Sequence, residues 1–166
     1  MQITTRIYAL TLLAFVLSSC GFALRGATTG PIASDTVFVQ SAQANSELTQ
    51  ALSAALTDAQ LRLLDSAQGA HYVLQIGAEQ FNSRTSTVNG RARAAQYTLQ
   101  LSTEVSLSQQ GNEIVNEETL SVERSYFEDT ANIAGSTQEV AILQEEMRRE
   151  LVEQVMRRLR AAAQGN

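Results

Sequence analysis

The stretch that decides the fold is Ala95–Leu107, which reads AQYTLQLSTEVSL. Its apolar residues recur at every second position, the period of a β-strand with one buried face. The side chains expected to point inward are Ala95, Tyr97, Leu99, Leu101, Val105 and Leu107. Those expected to point outward are Gln96, Thr98, Gln100, Ser102, Glu104 and Ser106. The sequence therefore predicts a long, half-buried strand.

Turn signals lie on both sides of this strand. Asn89-Gly90 is typical of a hairpin, and Gln110–Asn112 turns the chain back. From Ala70 onward a second strand is predicted, with Tyr72, Leu74, Ile76 and Ala78 inward and His71, Gln75 and Glu79 outward. After the second turn, the alternation in Leu120–Phe127 predicts another strand.

The two helices are predicted from apolar residues spaced three and four apart. One follows a short strand at 35–40 and covers about 46–60, with Asn45 or Ser46 as its cap. The other begins near Ser136 and Glu139, which have capping-box spacing, and carries the apolar stripe Val140, Leu143, Met147, Leu151, Val155 and Leu159. Leu61–Asp65 could add a further extended segment.

The predicted order β-α-β-β-β-α is typical of an α+β fold. We expect a two-layer sandwich in which both helices pack on one face of a four-stranded mixed sheet. The first two strands should be parallel, because a helix connects them, and the later hairpins antiparallel.

The first twenty residues have the order of a secretory signal. Arg6 precedes an apolar run, and Leu17-Ser18-Ser19-Cys20 matches the bacterial lipobox, in which the chain is cut before an acylated cysteine. We expect residues 1–19 to be a signal peptide and Cys20 to carry acyl chains such as palmitate. An ordinary signal peptide followed by a free cysteine is the alternative. Residues 20–34 are then a tether, 35–160 a single domain and 161–166 a flexible tail.

Composition excludes several classes of protein. The chain has one Cys, which excludes a disulfide framework and a zinc site built from cysteines. With residues 1–19 removed, the net charge falls from −5 to about −6, which argues against nucleic acid as a partner. No later stretch is apolar and long enough to span a membrane, so attachment would be by lipid.

The sequence offers no catalytic centre, metal site or cofactor motif. His71 is the only histidine and has no nucleophile near it in sequence. No phosphate loop, nucleophile elbow or metal-binding spacing occurs. We therefore predict a protein that is not an enzyme. A lipid-anchored hydrolase acting through His71 is a remote alternative.

Two features suggest binding. Gln80–Thr103 holds Arg84, Arg91 and Arg93 and no acid, and guanidinium groups at a hairpin tip suit either phosphate binding or solubility. The outward side chains of Ala95–Leu107 are almost all polar and uncharged. Such a face can be solvated, or it can lie against another polar protein surface without the cost of desolvating charge.

Four segments resemble the LPS-assembly lipoprotein LptE family. They are Cys20–Gly26 (CGFALRG), Asn89-Gly90 leading to Ala95-Gln96-Tyr97, Glu123–Asp129 (ERSYFED), and the amphipathic last helix. The resemblance implies an outer-membrane lipoprotein that plugs the LptD β-barrel as a heterodimer, assists its assembly and helps deliver lipopolysaccharide. It also implies that Arg91 and Arg93 bind lipopolysaccharide.

The sequence departs from the family pattern at two places. Ala23 stands where His is frequent, and Thr130–Thr137 contains no basic residue, which leaves the hairpin to supply the phosphate contact. Gly21 after the lipidated cysteine favours sorting to the outer membrane. The resemblance implies a location on the periplasmic side of that membrane, within a barrel lumen. The alternative function is an accessory lipoprotein of another envelope lipid-transport system.

Overall fold

The centre of the fold is an antiparallel pair of long strands, β5 (Ala94–Gln109) and β6 (Asn112–Asp129). The computed structural model describes residues 35–88, 94–129 and 133–164. Gln110 and Gly111 connect the two strands with φ angles of 50° and 85°, the left-handed geometry of a tight hairpin turn. The sequence predicted this turn and the alternation of β5, and the structure confirms both. β6 begins earlier than predicted, because its charged first half also pairs with β5.

The first half of the domain adds strands and a helix to one side of this pair. β1 (Thr36–Ser41) leads to α1 (Glu47–Asp58), whose cap Ser46 accepts a hydrogen bond from the Thr49 amide at 3.1 Å. After α1 come β2 (Arg62–Leu64) and β3 (Tyr72–Ile76), both parallel to β1. The parallel pairing predicted from the β-α-β order is confirmed.

The prediction of four strands is wrong, because the described part of the chain already forms a sheet of six strands. β2 is a short edge strand within the segment Leu61–Asp65. The second predicted strand is divided into β3 and β4 (Gln80–Val88), which pair with the same edge of β5. β1 and then β2 lie beyond β3, and β6 pairs with the opposite edge of β5.

A bulge separates β3 from β4. Three residues, Gly77 to Glu79, lie opposite two residues of β5, Thr103 and Glu104. Gly77 donates a backbone hydrogen bond to Glu104 at 2.8 Å, and a Cβ at Gly77 would lie only 3.1 Å from the Glu104 Cβ. The Thr103 hydroxyl donates to the Gly77 carbonyl at 3.1 Å. The extra residue reverses the alternation of the strand.

The reversal overturns the predicted orientation of Glu79. Regular alternation would place its side chain outward, but its carboxylate contacts Arg148 of α2 (Ile133–Ala163), on the helix side. Phe81 also packs against the core. The bulge therefore brings an acid residue of the sheet under a helix.

The last helix packs over β5 and β6, with α1 beside it on the same face. The two-layer α+β arrangement with both helices on one face is therefore as predicted. Apolar side chains of both helices and of the inner sheet face form one continuous core. α2 continues to Ala163, past the expected domain end at residue 160.

Arg148 connects three elements. Its side chain is 9% exposed, and its Nε and Nη2 donate to both carboxylate oxygens of Glu79 at 3.0 and 2.9 Å. Its Nη1 lies 2.7 Å from a carboxylate oxygen of Glu47, in the first turn of α1. The hydrogen bonds to Glu79 outweigh burial and raise the pKa of Arg148, so the guanidinium stays charged.

We expect Arg148→Met to lower the free energy of unfolding by about 3 kcal/mol, because it leaves the Glu79 carboxylate, largely shielded from water, without its partner. The measurement is urea unfolding. Arg149→Met, at the exposed next position of the same helix, is the control and should change stability by less than about 0.5 kcal/mol. Equal losses in the two variants would contradict a role for the buried pair.

Candidate functional site

The face of the sheet turned away from the helices, here called the outer face, is polar across three strands. Its β5 members are the predicted outward residues, all half-buried except Glu104, which is exposed. Their cross-strand neighbours extend the same character, with Asn82 and Arg84 on β4 and Ser121, Glu123 and Ser125 on β6. A shallow cavity of about 240 Å³ on this face is bordered by Gln40, Gln75, Glu104, Ser106 and Glu117, among others.

Two of the charges on the outer face compensate each other. Arg84 and Glu123 reach across β5 and approach to 3.4 Å, with side chains 73% and 49% exposed. A pair so exposed contributes at most about 1 kcal/mol to stability. The pair matters mainly for the charge of the surface, because the two opposite charges compensate each other among amide and hydroxyl groups.

One end of β4 and β5 holds the hairpin that the sequence singled out. Arg91 and Arg93, the predicted binding residues, lie outside the described residues, as does the hairpin tip at 89–93. The strands beside the tip are described. On the outer face, the Ser86 and Thr98 hydroxyls are hydrogen-bonded at 2.5 Å, next to an irregularity in the register of β4.

The inner face at this end carries an aromatic pair that sequence reasoning missed. Tyr97 and Tyr126 are register partners on β5 and β6, and their rings stack with centroids 5.3 Å apart and planes at 23°. The Tyr97 hydroxyl donates to a carboxylate oxygen of Glu128 at 3.0 Å. Both tyrosines were expected to point inward, but the register that joins them could not be derived from either strand alone.

The tyrosine hydroxyls remain protonated at neutral pH. The hydrogen bond to Glu128 and the charge of that carboxylate raise the pKa of Tyr97. Burial is the main cause that raises the pKa of Tyr126. Tyr97 is therefore a stable donor to Glu128.

The neighbouring outer-face position is occupied by Phe127, whose side chain is 65% exposed. It pairs in register with Gln96. Two of the sequence segments noted above thus lie side by side, because Ala95-Gln96-Tyr97 pairs with Tyr126-Phe127-Glu128. The hairpin base is the place where they meet.

His71 lies at the other end of the strand array. Its Nε2 is 2.8 Å from the side-chain nitrogen of Gln109, and its ring meets Tyr72 edge-on at 4.7 Å. These contacts fit the predicted ordinary, half-buried histidine. Within residues 35–88, 94–129 and 133–164, no group of three or more His, Cys, Asp and Glu side chains is placed to hold a metal ion.

Other predictions concern segments that the structure does not describe. The signal peptide 1–19, Cys20 and the tether 20–34 lie outside the described residues, as do residues 130–132 of the loop before α2. In the part of the chain that is described, no helix combines the length and apolar character needed to cross a membrane.

Comparison with known families identifies the chain. The model of the family LptE, lipopolysaccharide-assembly, matches residues 34–159. The chain belongs to the LptE family. The resemblance noted in the sequence is confirmed, and with it membership of an envelope-associated family of non-enzymatic lipoproteins that serves lipopolysaccharide assembly. A comparison with curated proteins gives no significant match.

Solved structures share the fold of this LptE-family chain. The rare lipoprotein B from Shewanella oneidensis is 19% identical, with a TM-score of 0.71 over 78% of this chain and 96% of that one. The lipoprotein B from Nitrosomonas europaea is 18% identical, with a TM-score of 0.68 over 87% and 94%. A minor lipoprotein from Acinetobacter baumannii is 23% identical, with a TM-score of 0.62 over 76% and 91%.

Proposed function

We propose that the protein is an outer-membrane lipoprotein that plugs the LptD β-barrel, assists assembly of that barrel and helps deliver lipopolysaccharide to the cell surface. It acts by binding and not by catalysis. The observation that carries this proposal is the outer face of the sheet, whose β5 side chains are polar and, except for Glu104, uncharged, in a member of a lipopolysaccharide-assembly family.

The outer face suits the wall of a barrel lumen. Lumens of outer-membrane barrels are polar, so a protein seated in one needs hydrogen-bonding groups on its contact surface. Burying an unpaired charge costs far more than burying a hydroxyl or amide that finds a partner. Gln100, Ser102 and Thr98 provide such groups, and Arg84 and Glu123 compensate each other. We infer that this face meets the barrel wall.

The hairpin supplies the contact with lipopolysaccharide in this proposal. Arg91 and Arg93 are close in sequence to the described end of β5, which begins at Ala94. Guanidinium groups form paired hydrogen bonds with phosphate, the anionic group of a lipopolysaccharide headgroup.

The anchor completes the proposal. Residues 1–19 are removed, Cys20 is acylated, and residues 20–34 connect the lipid to a single domain at 35–160. Each buried methylene contributes about 0.8 kcal/mol, so two or more acyl chains hold the protein stably in the periplasmic side of the outer membrane.

The main test is purification of the tagged protein from outer membranes. We expect LptD to co-purify in near-equal amount, and Ser102→Glu to reduce that amount severalfold by placing a second carboxylate beside Glu104 on the outer face. Gln138→Glu, on the exposed side of α2, is the matched control. Retention of LptD by both variants would contradict contact through the outer face. Another lipid-transport protein in place of LptD would favour the alternative of an accessory lipoprotein.

The second test concerns the hairpin. Arg91→Asp combined with Arg93→Asp should weaken lipopolysaccharide binding at least tenfold, because two attractive charges become repulsive, while the complex with the barrel survives. Binding is measured with the purified complex. Arg62→Asp with Arg160→Asp makes the same change in net charge at exposed positions away from the hairpin. Unchanged binding in the hairpin variant would assign Arg91 and Arg93 to solubility.

The third test separates anchoring from docking. Cys20→Ala, secreted with a cleavable signal peptide, should lose its membrane attachment and still co-purify with LptD, because the folded domain makes the contact. Complete loss of the complex would show that the acyl chains are needed for assembly as well as for location. Native protein expressed at the same level is the reference.

A further inference from the structure

The strand β4 is exposed to solvent along much of its length. Phe81 near its start packs against the core, but residues 82–86 are all exposed, on both faces of the sheet. Within the described residues β4 pairs with β5 on one edge and with no strand on the other, here called the free edge of β4. Backbone N–H and C=O groups on such an edge are a template for a further strand.

The other two edge strands of the sheet are protected. Two backbone carbonyls of β6 already accept side-chain hydrogen bonds, Ser121 from Gln154 of α2 at 3.3 Å and Glu123 from Arg124 at 2.9 Å. Arg124 also forms an ion pair with Glu150 of α2. The strand β2 is only three residues long. Charged side chains, a covering helix and short length are devices that prevent a sheet edge from pairing with another chain.

The free edge of β4 has none of these devices. Among the described residues, no side chain hydrogen-bonds to the backbone of residues 80–86. The strand reads QFNSRTSTV over nine residues, with no Pro, no Gly and a single charge, Arg84. Segments of low charge without Pro pair readily with other strands. One edge of the sheet is therefore open while the others are protected.

We propose that the free edge of β4 is a strand-addition site, which pairs with an extended, polar segment of the barrel protein that carries an acid residue near Arg84. This inference rests on the proposed function, in which that barrel encloses the domain. In strand addition, main-chain hydrogen bonds provide the affinity and the side chains of alternate residues provide the specificity.

Charge favours a different protein over a second copy of this chain as the occupant. Arg84 is the central residue of Gln80–Val88, so two copies of β4 paired antiparallel over their full length place Arg84 opposite Arg84. Like charges directly opposite each other destabilise a strand pair. The guanidinium is 73% exposed, its contact with Glu123 is 3.4 Å long, and residues 80–103 contain no acid. A segment with a carboxylate at this point complements the edge.

The free edge is also continuous with the outer face, because Asn82 and Arg84 of β4 belong to that face. The exposed Ser83 lies on the opposite face of the same strand. A partner that contacts the outer face can therefore extend around β4, and the polar side chains on both faces of the strand match a polar segment.

The first measurement is amide hydrogen exchange at residues 80–86, in the free chain and in the purified complex with LptD. Successive residues of an edge strand point their N–H groups alternately to the paired strand and to the free edge. We expect the alternate amides that exchange rapidly in the free chain to slow at least tenfold in the complex. Residues 119–125 of β6 are the comparison, and their exchange should change less than twofold.

The second measurement uses Asn82→Pro and Ser83→Pro. Proline lacks an N–H, so one variant loses a donor to β5 and the other loses a donor on the free edge. The exchange pattern shows which is which. The free-edge variant should keep its melting temperature and yet enter the complex about three- to tenfold less than the native chain, when the two are co-expressed and compete for tagged LptD. The variant facing β5 should lower the melting temperature.

The third measurement tests the charge of the occupant in the same competition. Arg84→Glu should lower entry into the complex severalfold, because it places a carboxylate opposite the acid of the partner segment. Arg62→Glu, an equal change on the exposed edge strand β2, is the matched control and should compete as well as the native chain.

Unchanged exchange at residues 80–86 in a complex that does form would overturn strand addition. Equal slowing at β4 and β6 would overturn it as well, because it indicates general exclusion of water. Slowing that needs no LptD and grows with the concentration of the chain would make a second copy the occupant. A native chain that does not co-purify with LptD would overturn the proposed function, and with it the occupant proposed here.

Discussion

The contact between Arg148 and Glu79 is the constraint on which the arrangement of layers depends. The Glu79 carboxylate reaches the helix layer because three residues of the β3–β4 segment lie opposite two residues of β5. The buried guanidinium of Arg148 is tolerated under α2 because this carboxylate pairs with it. Glu47 brings α1 to the same cation. One buried cation is thus shared by the sheet and both helices.

Sequence periodicity predicted most of the fold, since the alternation of Ala95–Leu107 and the apolar stripe of the last helix both report a buried face. The prediction from periodicity was wrong where one extra residue reversed the alternation of inward and outward side chains. Glu79 follows a regular alternating run, and nothing in the local pattern reveals the bulge formed by Gly77 against Glu104. The short edge strand β2 lies in Leu61–Asp65, where the sequence indicated an extended segment, but three residues carry too little periodicity to show that it joins the sheet.

Periodicity also predicted part of the candidate site. The polar side chains of the outer face could be predicted from β5 alone, because successive residues of a strand point to opposite faces of the sheet. The meeting of Tyr97 with Tyr126 and Glu128 depends on the register between two strands, which is set by the turn at Gln110-Gly111 and by irregularities in the β5–β6 ladder near Val105 and Leu107. Residues 89–93, which carry the two arginines, lie outside the described residues.

The bulge at Gly77–Glu79 also divides the pairing along one edge of β5 into two segments. Pairing of β3 with β5 ends on one side of it, and pairing of β4 with β5 begins afresh on the other. The core nevertheless continues past the bulge, since Leu99 and Leu101 of β5 are fully buried in it and Phe81 of β4 packs against it. A single inserted residue thus changes which side chains of the strand enter the core and leaves the core itself unbroken.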